Sequence, residues 1–285
     1  NTDSLQDQLL QRSFTPCSGF RPSSFGWVPP ISGVEDAPLF HEVACCILLC
    51  ARREDKVIPP SALNEAIAER VERVESLEGR KLRSKERMSI KDEALAELMP
   101  RALAKSKQIL GYISPSDNLL VIDTANASEA ELFINCLRES LGTLNLVPPQ
   151  VKSNPSETFN QWILKRKLPD NFNLGNQCDM VDPEDGSSVN CRRQDLDTQE
   201  IRNHIESGKV CTKLGIRWHG DLTLSVDKEL ILRQIKLESG DDDANDEDNP
   251  IARLDAAFVN MTLEFARFLP ALFSALGGET QSLSS

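Results

Sequence analysis

The sequence predicts an α+β fold that has a central mixed sheet, an inserted helical-hairpin arm and a second, smaller α+β domain. Two observations favour this class. Up to about residue 151, strand-like and helix-like segments alternate, and two helix-like segments stand side by side between strands. From residue 210 onward, short apolar runs separated by turn residues are typical of antiparallel strands. A chain of 285 residues is long enough for two domains or one elaborate domain.

Shifts in composition set the predicted boundaries. Six acidic residues between Gly240 and Pro250 predict a mobile acidic linker. The predicted parts are a central domain of residues 1–58 and 108–152, a helical arm of 59–107, a second domain of 153–240, the linker of 241–249 and a C-terminal helix of 250–285.

The first elements follow from apolar spacing. Leu5, Leu9 and Leu10 predict a short amphipathic helix. FGWVPP (residues 25–30) predicts an edge strand that ends at its proline pair. The continuous apolar run of residues 39–51 predicts one buried strand.

Two helices are predicted next, and they form the arm. Pro60 and Ser61 are typical of a helix start, and Gly79 of a helix end. Residues 80–99 contain strong helix formers without glycine or proline, which predicts a second helix that ends at Pro100. The cations that would share one face of it are Arg80, Arg83, Arg87 and Lys91, flanked by Lys81 and Lys85.

This basic stripe is the strongest functional signal in the chain. Side chains three or four positions apart on a helix are roughly 5–6 Å apart, a spacing that suits a phosphate backbone. The alternative is a solvated helix face with no ligand. Other segments must therefore decide between the two interpretations.

The remaining elements are predicted from turn and cap residues. Residues 109–125 read as two strands joined by a turn at 114–118, and Ser128 is expected to cap a helix that Gly142 closes. The later predicted segments are a strand at 145–151, a helix opened by Pro155 and Glu157, a turn-rich stretch at 172–190 with a strand near 188–191, a helix capped by Asp197 or Thr198, strands at 210–218, 221–226 and 231–237, and a final helix stopped at Gly277 and Gly278.

The net charge of −12 does not exclude a nucleic-acid partner. Binding depends on where charge lies, and much of the negative charge lies in the predicted linker. The acidic and basic residues are therefore segregated along the sequence.

Several classes of chemistry are disfavoured. The eight cysteines contain no C-x-x-C pair, which predicts free, mostly buried thiols in a reducing compartment. His41, His204 and His219 are isolated in the sequence, and no phosphate-loop, G-x-S-x-G or H-E-x-x-H motif is present. No apolar run approaches the roughly 20 residues that cross a bilayer, and no signal peptide opens the chain. We therefore expect a cytoplasmic protein without cofactor, metal or membrane partner, and catalysis is disfavoured.

Seven stretches in order carry a resemblance to a known family. They are FTPC (14–17), GWVPP (26–30), CARREDKVIP (50–59), KDEALAELMPRA (91–102), ESLGTLNLVP (139–148), RRQDLDTQEIRNHIESGKVCTKLGIRW (192–218) and ALGGE (275–279). With them, the sequence resembles the recombination-associated protein RdgC family of proteobacteria over essentially its whole length.

The resemblance implies a non-enzymatic, sequence-independent DNA-binding protein that limits recombinase-driven strand exchange during recombination and replication-fork repair. It implies a homodimer closed into a ring around double-stranded DNA, with single-stranded DNA as a further candidate ligand. It also implies functional antagonism with a RecA-type recombinase, at the nucleoid.

The resemblance further implies roles for individual residues. Leu103 stands where relatives often carry Phe, and it is the implied subunit contact. The implied DNA-binding residues are Lys56, Arg80, Lys81, Arg83, Arg87, Lys91, Arg101, Arg192, Arg193 and Gln194.

Two alternatives stay open at the level of sequence. The chain could be a protein-interaction scaffold that contacts the recombinase directly, with incidental charge. It could also be a metal-dependent nuclease that uses the carboxylates of residues 241–248, although metal ligands require rigid, convergent placement.

Overall fold

The computed structural model describes residues 2–31, 36–238 and 250–280, and these fall into two compact units, Asn1–Leu144 and Asn145–Ser285. The predicted acidic linker lies outside the described residues. The helices are α1 (Thr2–Leu10), α2 (Pro60–Glu78), α3 (Ser84–Leu98), α4 (Ala127–Leu141), α5 (Pro155–Lys165), α6 (Gln199–Glu206) and α7 (Pro250–Ala275). The strands are β1 (Ser23–Val28), β2 (Phe40–Val43), β3 (Cys46–Val57), β4 (Leu103–Ser114), β5 (Leu119–Ile122), β6 (Phe172–Val181), β7 (Ser188–Arg192), β8 (Val210–Trp218), β9 (Leu222–Asp227) and β10 (Leu232–Leu237).

The fold is α+β, as the sequence predicts, but both sheets are antiparallel. In the first unit the strand order is β1-β3-β4-β5, with β2 paired to β3. All of these pairs are antiparallel, so the predicted mixed sheet is wrong for the described strands. One isolated parallel bridge, between Ser13 and Trp27, lies outside them.

The predicted single strand over 39–51 is instead a tight hairpin. Ala44 and Cys45 adopt φ angles of 50° and 61°, and they separate β2 from β3. Two consecutive residues of positive φ match the right-handed twist of the flanking strands. Neither residue is a usual turn former, which is why the apolar run conceals the turn. Strand β3 then continues to Val57, beyond the predicted end at residue 51, and carries the basic residues Arg52, Arg53 and Lys56.

The core of the first unit packs α4 and α1 against one face of the sheet. The Phe133 ring meets Trp27 edge to face, with centroids 5.1 Å apart, and both side chains are fully buried. Gly111 is required beneath that ring, because a Cβ there would lie 2.6 Å from Phe133. Helix α4 is capped by Asn126, whose side chain accepts the backbone N–H of Ser128 at 2.9 Å. The predicted cap at Ser128 is therefore two residues too late.

The second unit contains a sheet of order β10-β9-β8-β6-β7. The stretch 172–190, predicted to be turn-rich, contains the ten-residue strand β6, whereas the predicted strand over 145–151 is limited to one bridge between Val151 and Glu279. Proline has no N–H to donate to a ladder, and the proline pair at 148–149 therefore prevents a strand there. The three predicted strands β8, β9 and β10 are confirmed.

Helix α7 packs its aromatic face onto this second sheet. Phe268 is fully buried, and its ring centroid lies 5.6 Å from that of Trp218 and 6.2 Å from that of Phe172. By length and composition residues 251–275 of α7 could cross a membrane, contrary to the expectation from sequence. Length and composition alone are weak evidence for a membrane span, since core helices of soluble proteins satisfy the same criteria.

Candidate nucleic-acid interface

The basic segment is a helix–loop–helix, and the loop carries half of the predicted cations. Helix α2 ends at Glu78, Gly79 adopts a left-handed φ of 62°, and α3 begins only at Ser84. The predicted helix over 80–99 is therefore wrong for its first four residues. Arg80, Lys81 and Arg83 lie on the loop or at the cap, and they cannot share a helix face with Lys91.

Two carboxylates from the flanking helices hold this loop. Glu75 of α2 accepts the backbone N–H of Leu82 at 3.0 Å, and Glu86 of α3 accepts that of Arg83 at 2.7 Å. The hydrogen bond from Lys81 lowers the pKa of Glu75 to about 2, and the hydrogen bond from Arg80 lowers the pKa of Glu86 to about 2. Because both carboxylates bind orphan N–H groups at a helix start, the loop has a defined conformation.

The same carboxylates pair with three of the predicted DNA-binding cations. Arg80 donates to Glu86 through two nitrogens at 2.9 and 2.6 Å, and these bonds raise the pKa of the guanidinium. Lys81 and Arg87 lie 2.8 and 2.9 Å from the two oxygens of Glu75. A phosphate that approaches these three cations must compete with a carboxylate already in place.

Three other cations, at the start of α3 and along it, lack such partners. Arg83, Lys85 and Lys91 are exposed, and within the described chain none of them forms an ion pair with a carboxylate. The helices run side by side in opposite directions, as the ion pairs Arg70–Glu97 and Arg87–Glu75 require. Arg73 on α2 is likewise exposed and without an ion pair in the described chain, so the cations available without competition lie on both helices and at the start of α3.

Lys56 and Arg101 are brought to the same end of the first sheet. The Lys56 ammonium donates to the carbonyls of Gly19 and Met99 at 2.6 and 2.9 Å, and so fastens β3 to the 3₁₀ turn Met99–Arg101. Arg101 is exposed on that turn. The Lys56 ammonium keeps a third N–H, because it has three donors.

Two lysines of β4, near this end of the sheet, are missing from the predicted set of DNA-binding residues. Lys105 and Lys107 face Asp55 and Arg53 across the β3–β4 ladder. Lys107 lies 2.6 Å from the nearly buried Glu129 and lowers the pKa of that carboxyl, whereas Lys105 is exposed and has no carboxylate partner in the described residues. The signal for both lysines was their spacing of two residues within 103–108. That spacing places them on one face only once these residues are assigned to a strand.

Leu103, the predicted subunit contact, is the first residue of β4. It pairs with Val57, and their exposed fractions are 82% and 47%. The segment 103–107, placed in the arm from sequence, therefore lies in the sheet. These two exposed apolar side chains lie in the same ladder as Lys56 and Lys105.

The basic residues of the second unit differ in their availability. Arg192 donates to Asp179 and, at 2.8 Å, to its neighbouring carbonyl of Cys191, and the Asp179 bond raises the pKa of the guanidinium. Arg193 has a positive φ of 53° and is exposed. The Gln194 side chain donates to Glu200 at 3.3 Å. Of these three residues, Arg193 is the one free to meet a phosphate in the described part of the chain.

Comparisons with known proteins agree on one family. A family model described as "RdgC: Putative exonuclease, RdgC" matches residues 1–279. A recombination-associated protein RdgC from Aeromonas hydrophila is 40% identical over 286 residues, which cover 99% of this chain and 94% of the relative. The protein of the same name from Pseudomonas aeruginosa is 36% identical, covering 98% and 92%, and that from Pseudomonas putida is 35% identical, covering 97% and 92%.

Proposed function

Because this chain belongs to the RdgC family of recombination-associated proteins, we propose that it binds DNA without sequence preference, as a homodimer closed into a ring around the duplex. Duplex inside such a ring is unavailable for strand exchange, so the protein would limit a RecA-type recombinase during recombination and replication-fork repair. It would act at the nucleoid, in the cytoplasm.

The observation that carries this proposal is the set of exposed cations without carboxylate partners. In the described part of the first unit these include Arg83, Lys85, Lys91, Arg101 and Lys105. They come from a loop, a helix, a turn and a strand, so they form no single base-reading element. Cations that meet phosphates release counterions and give affinity without sequence information.

The paired cations add a second feature to the proposal. Arg80, Lys81 and Arg87 are neutralised locally by carboxylates, and exposed ion pairs of this kind contribute only about 0–1 kcal/mol each. A phosphate can therefore displace a carboxylate at small cost. Such weak contacts suit a protein that must move along or leave DNA.

Salt dependence of duplex binding tests the proposal. We expect similar affinity for unrelated duplex sequences, and a steep linear fall of log affinity with log salt, measured by fluorescence anisotropy. Native mass measurement should show the dimer, and closed circular DNA should retain the protein longer than a linear duplex of the same length. Affinity that is independent of salt, or confined to one sequence, would contradict it.

A second candidate is nuclease activity, which the description of the family model favours. Duplex and single strands carrying a label at either end, incubated with magnesium or manganese, decide between binding and cleavage. Progressive loss of terminal nucleotides by wild-type protein, absent from a preparation treated with chelator, would establish the nuclease.

A further inference from the structure

A cleft of 390 Å³ opens in the first unit, and none of its lining residues belongs to α2 or α3. It is bounded by the start of β1, the C-terminal half of β3 and one face of α4. Its volume is within the range of roughly 300–1,000 Å³ that small-molecule sites occupy. The residues that matter for its chemistry are Arg12, Arg21, Phe25, Arg53, Leu132 and Asn135.

Three guanidinium groups line this cleft. Arg53 pairs with Asp55 at 2.7 Å, and Arg12 pairs with Glu139. Arg21 donates from Nε to the carbonyl of Ser23 at 3.1 Å, and it has no carboxylate partner among the described residues. Three cations and two carboxylates leave the cleft with one excess positive charge, centred on Arg21.

The groups are arranged so that the cations adjoin an apolar wall. Phe25 and Arg53 are direct cross-strand partners in the β1–β3 ladder, and such partners have Cβ atoms roughly 4.5–5.5 Å apart. Leu132 of α4, 38% exposed, lines the opposite side. Asn135, one turn farther along α4, adds an amide to the rim. A ring-shaped ligand can therefore contact apolar carbon while an attached anion contacts guanidinium.

We propose that this cleft binds a nucleoside 5′-monophosphate, with the base against Phe25 and Leu132 and the phosphate on Arg21 and Arg53. Guanidinium forks match phosphate oxygens in a bidentate manner. Bases stack on aromatic rings with little dependence on base identity. The Arg12–Glu139 pair is half exposed, so it can open to admit the ligand at small cost.

The charge balance favours one phosphate over several. A monophosphate carries about −1.5 to −2 near neutral pH, and the net +1 of the cleft offsets half or more of it, whereas releasing Arg12 from Glu139 adds a hydrogen-bond donor but no net charge. A triphosphate would place additional negative charge beside Asp55 and Glu139, which line the same cleft. The ligand is either a free nucleotide or the 5′-terminal nucleotide of a strand, since both present the same chemistry.

Calorimetric titration of the intact protein with deoxyadenosine 5′-monophosphate tests the proposal without reference to DNA encirclement. We expect saturable binding of the monophosphate. Deoxyadenosine, which lacks the phosphate, and inorganic phosphate, which lacks the base, should each bind at least about tenfold more weakly. Absence of saturable binding of the monophosphate overturns the proposal, as does binding of inorganic phosphate with equal affinity.

Two variants locate the site. Arg21→Ala should lower affinity about tenfold or more, as expected for a lost charged hydrogen bond, and Phe25→Leu should lower it about fivefold. Arg73→Ala, which removes an exposed arginine of α2, is the matched control and should bind as wild type. Since Arg21 is exposed and holds one carbonyl, its loss should leave the melting temperature unchanged. Wild-type affinity in both cleft variants overturns the proposal.

An oligonucleotide with and without a 5′-phosphate distinguishes the two sources of the ligand. If the phosphorylated strand displaces deoxyadenosine monophosphate and the other strand does not, the cleft holds strand ends. If neither strand displaces it while the free nucleotide binds, the ligand is the free nucleotide.

Discussion

The unpaired cations of α3 and its start give the sharpest test of the proposed binding of DNA. Replacing Arg83, Lys85 and Lys91 together with Gln removes three exposed charges that have no carboxylate partner within the described chain. Exposed substitutions of this kind usually change stability by less than about 0.5 kcal/mol. The variant should therefore fold as wild type does.

The magnitude follows from counterion release. Each phosphate contact contributes about 0.9 to the slope of log affinity against log salt, so loss of all three should flatten the slope by up to about 2.7. Between 50 and 200 mM salt, wild-type affinity should then fall by about 1.6 decades more than that of the variant. Fluorescence anisotropy titrations at four salt concentrations give both slopes.

A charge-matched control separates contact from overall charge. Arg217, Lys228 and Lys236 are exposed cations of the second unit that belong to no predicted site, and their replacement by Gln changes the net charge equally. Their variant should keep the wild-type slope. If the two triple variants show the same slope, the α3 cations act only through the overall field, and the interpretation of α2–α3 as a phosphate-binding surface is refuted.

Three further predictions concern the arm, the subunit contact and the thiols. Acidification from about pH 4.5 toward pH 2 should open the loop before α3. The pKa of Glu86 is lowered to about 2 in the folded protein, so the stability that its ionised form contributes is lost as pH falls through that range. The protection factor of the Arg83 amide, taken relative to an unstructured peptide at the same pH, should fall, and an unchanged protection factor would contradict the assigned hydrogen bond. Leu103→Asp, at an 82% exposed site, should lower DNA affinity by opening the proposed ring without lowering the melting temperature, whereas wild-type retention on circular DNA would count against a subunit contact there. Native protein should react with a thiol reagent at exposed Cys45 well before Cys178, whose pKa is raised by burial; equal rates would show that the second sheet opens readily.

The sequence was sufficient to predict an element wherever the residues that signal it lie close together along the chain. Pro60 and Ser61 at the start and a glycine at the end predicted α2 and its end at Gly79, and turn residues between apolar runs predicted β8 to β10. The family was evident from the order of short motifs. Each of these depends on residues that are close together along the chain.

The errors have a common cause. The turn at Ala44 and Cys45 contains no usual turn residue, and β6 was hidden in a polar segment. Their conformations depend on neighbouring strands that lie far away in sequence. Propensity is a weak guide at such positions, because cross-strand packing decides them.

The candidate interface shows the same division between sequence and tertiary structure. Sequence by itself determined that cations are concentrated between residues 80 and 107 and that the chain is an RdgC-family protein. Only the tertiary structure decided which cations are available, because Glu75 reaches across from α2 to hold Lys81 and Arg87. Charge is a property of the residue, but pairing is a distance between side chains that the fold brings together.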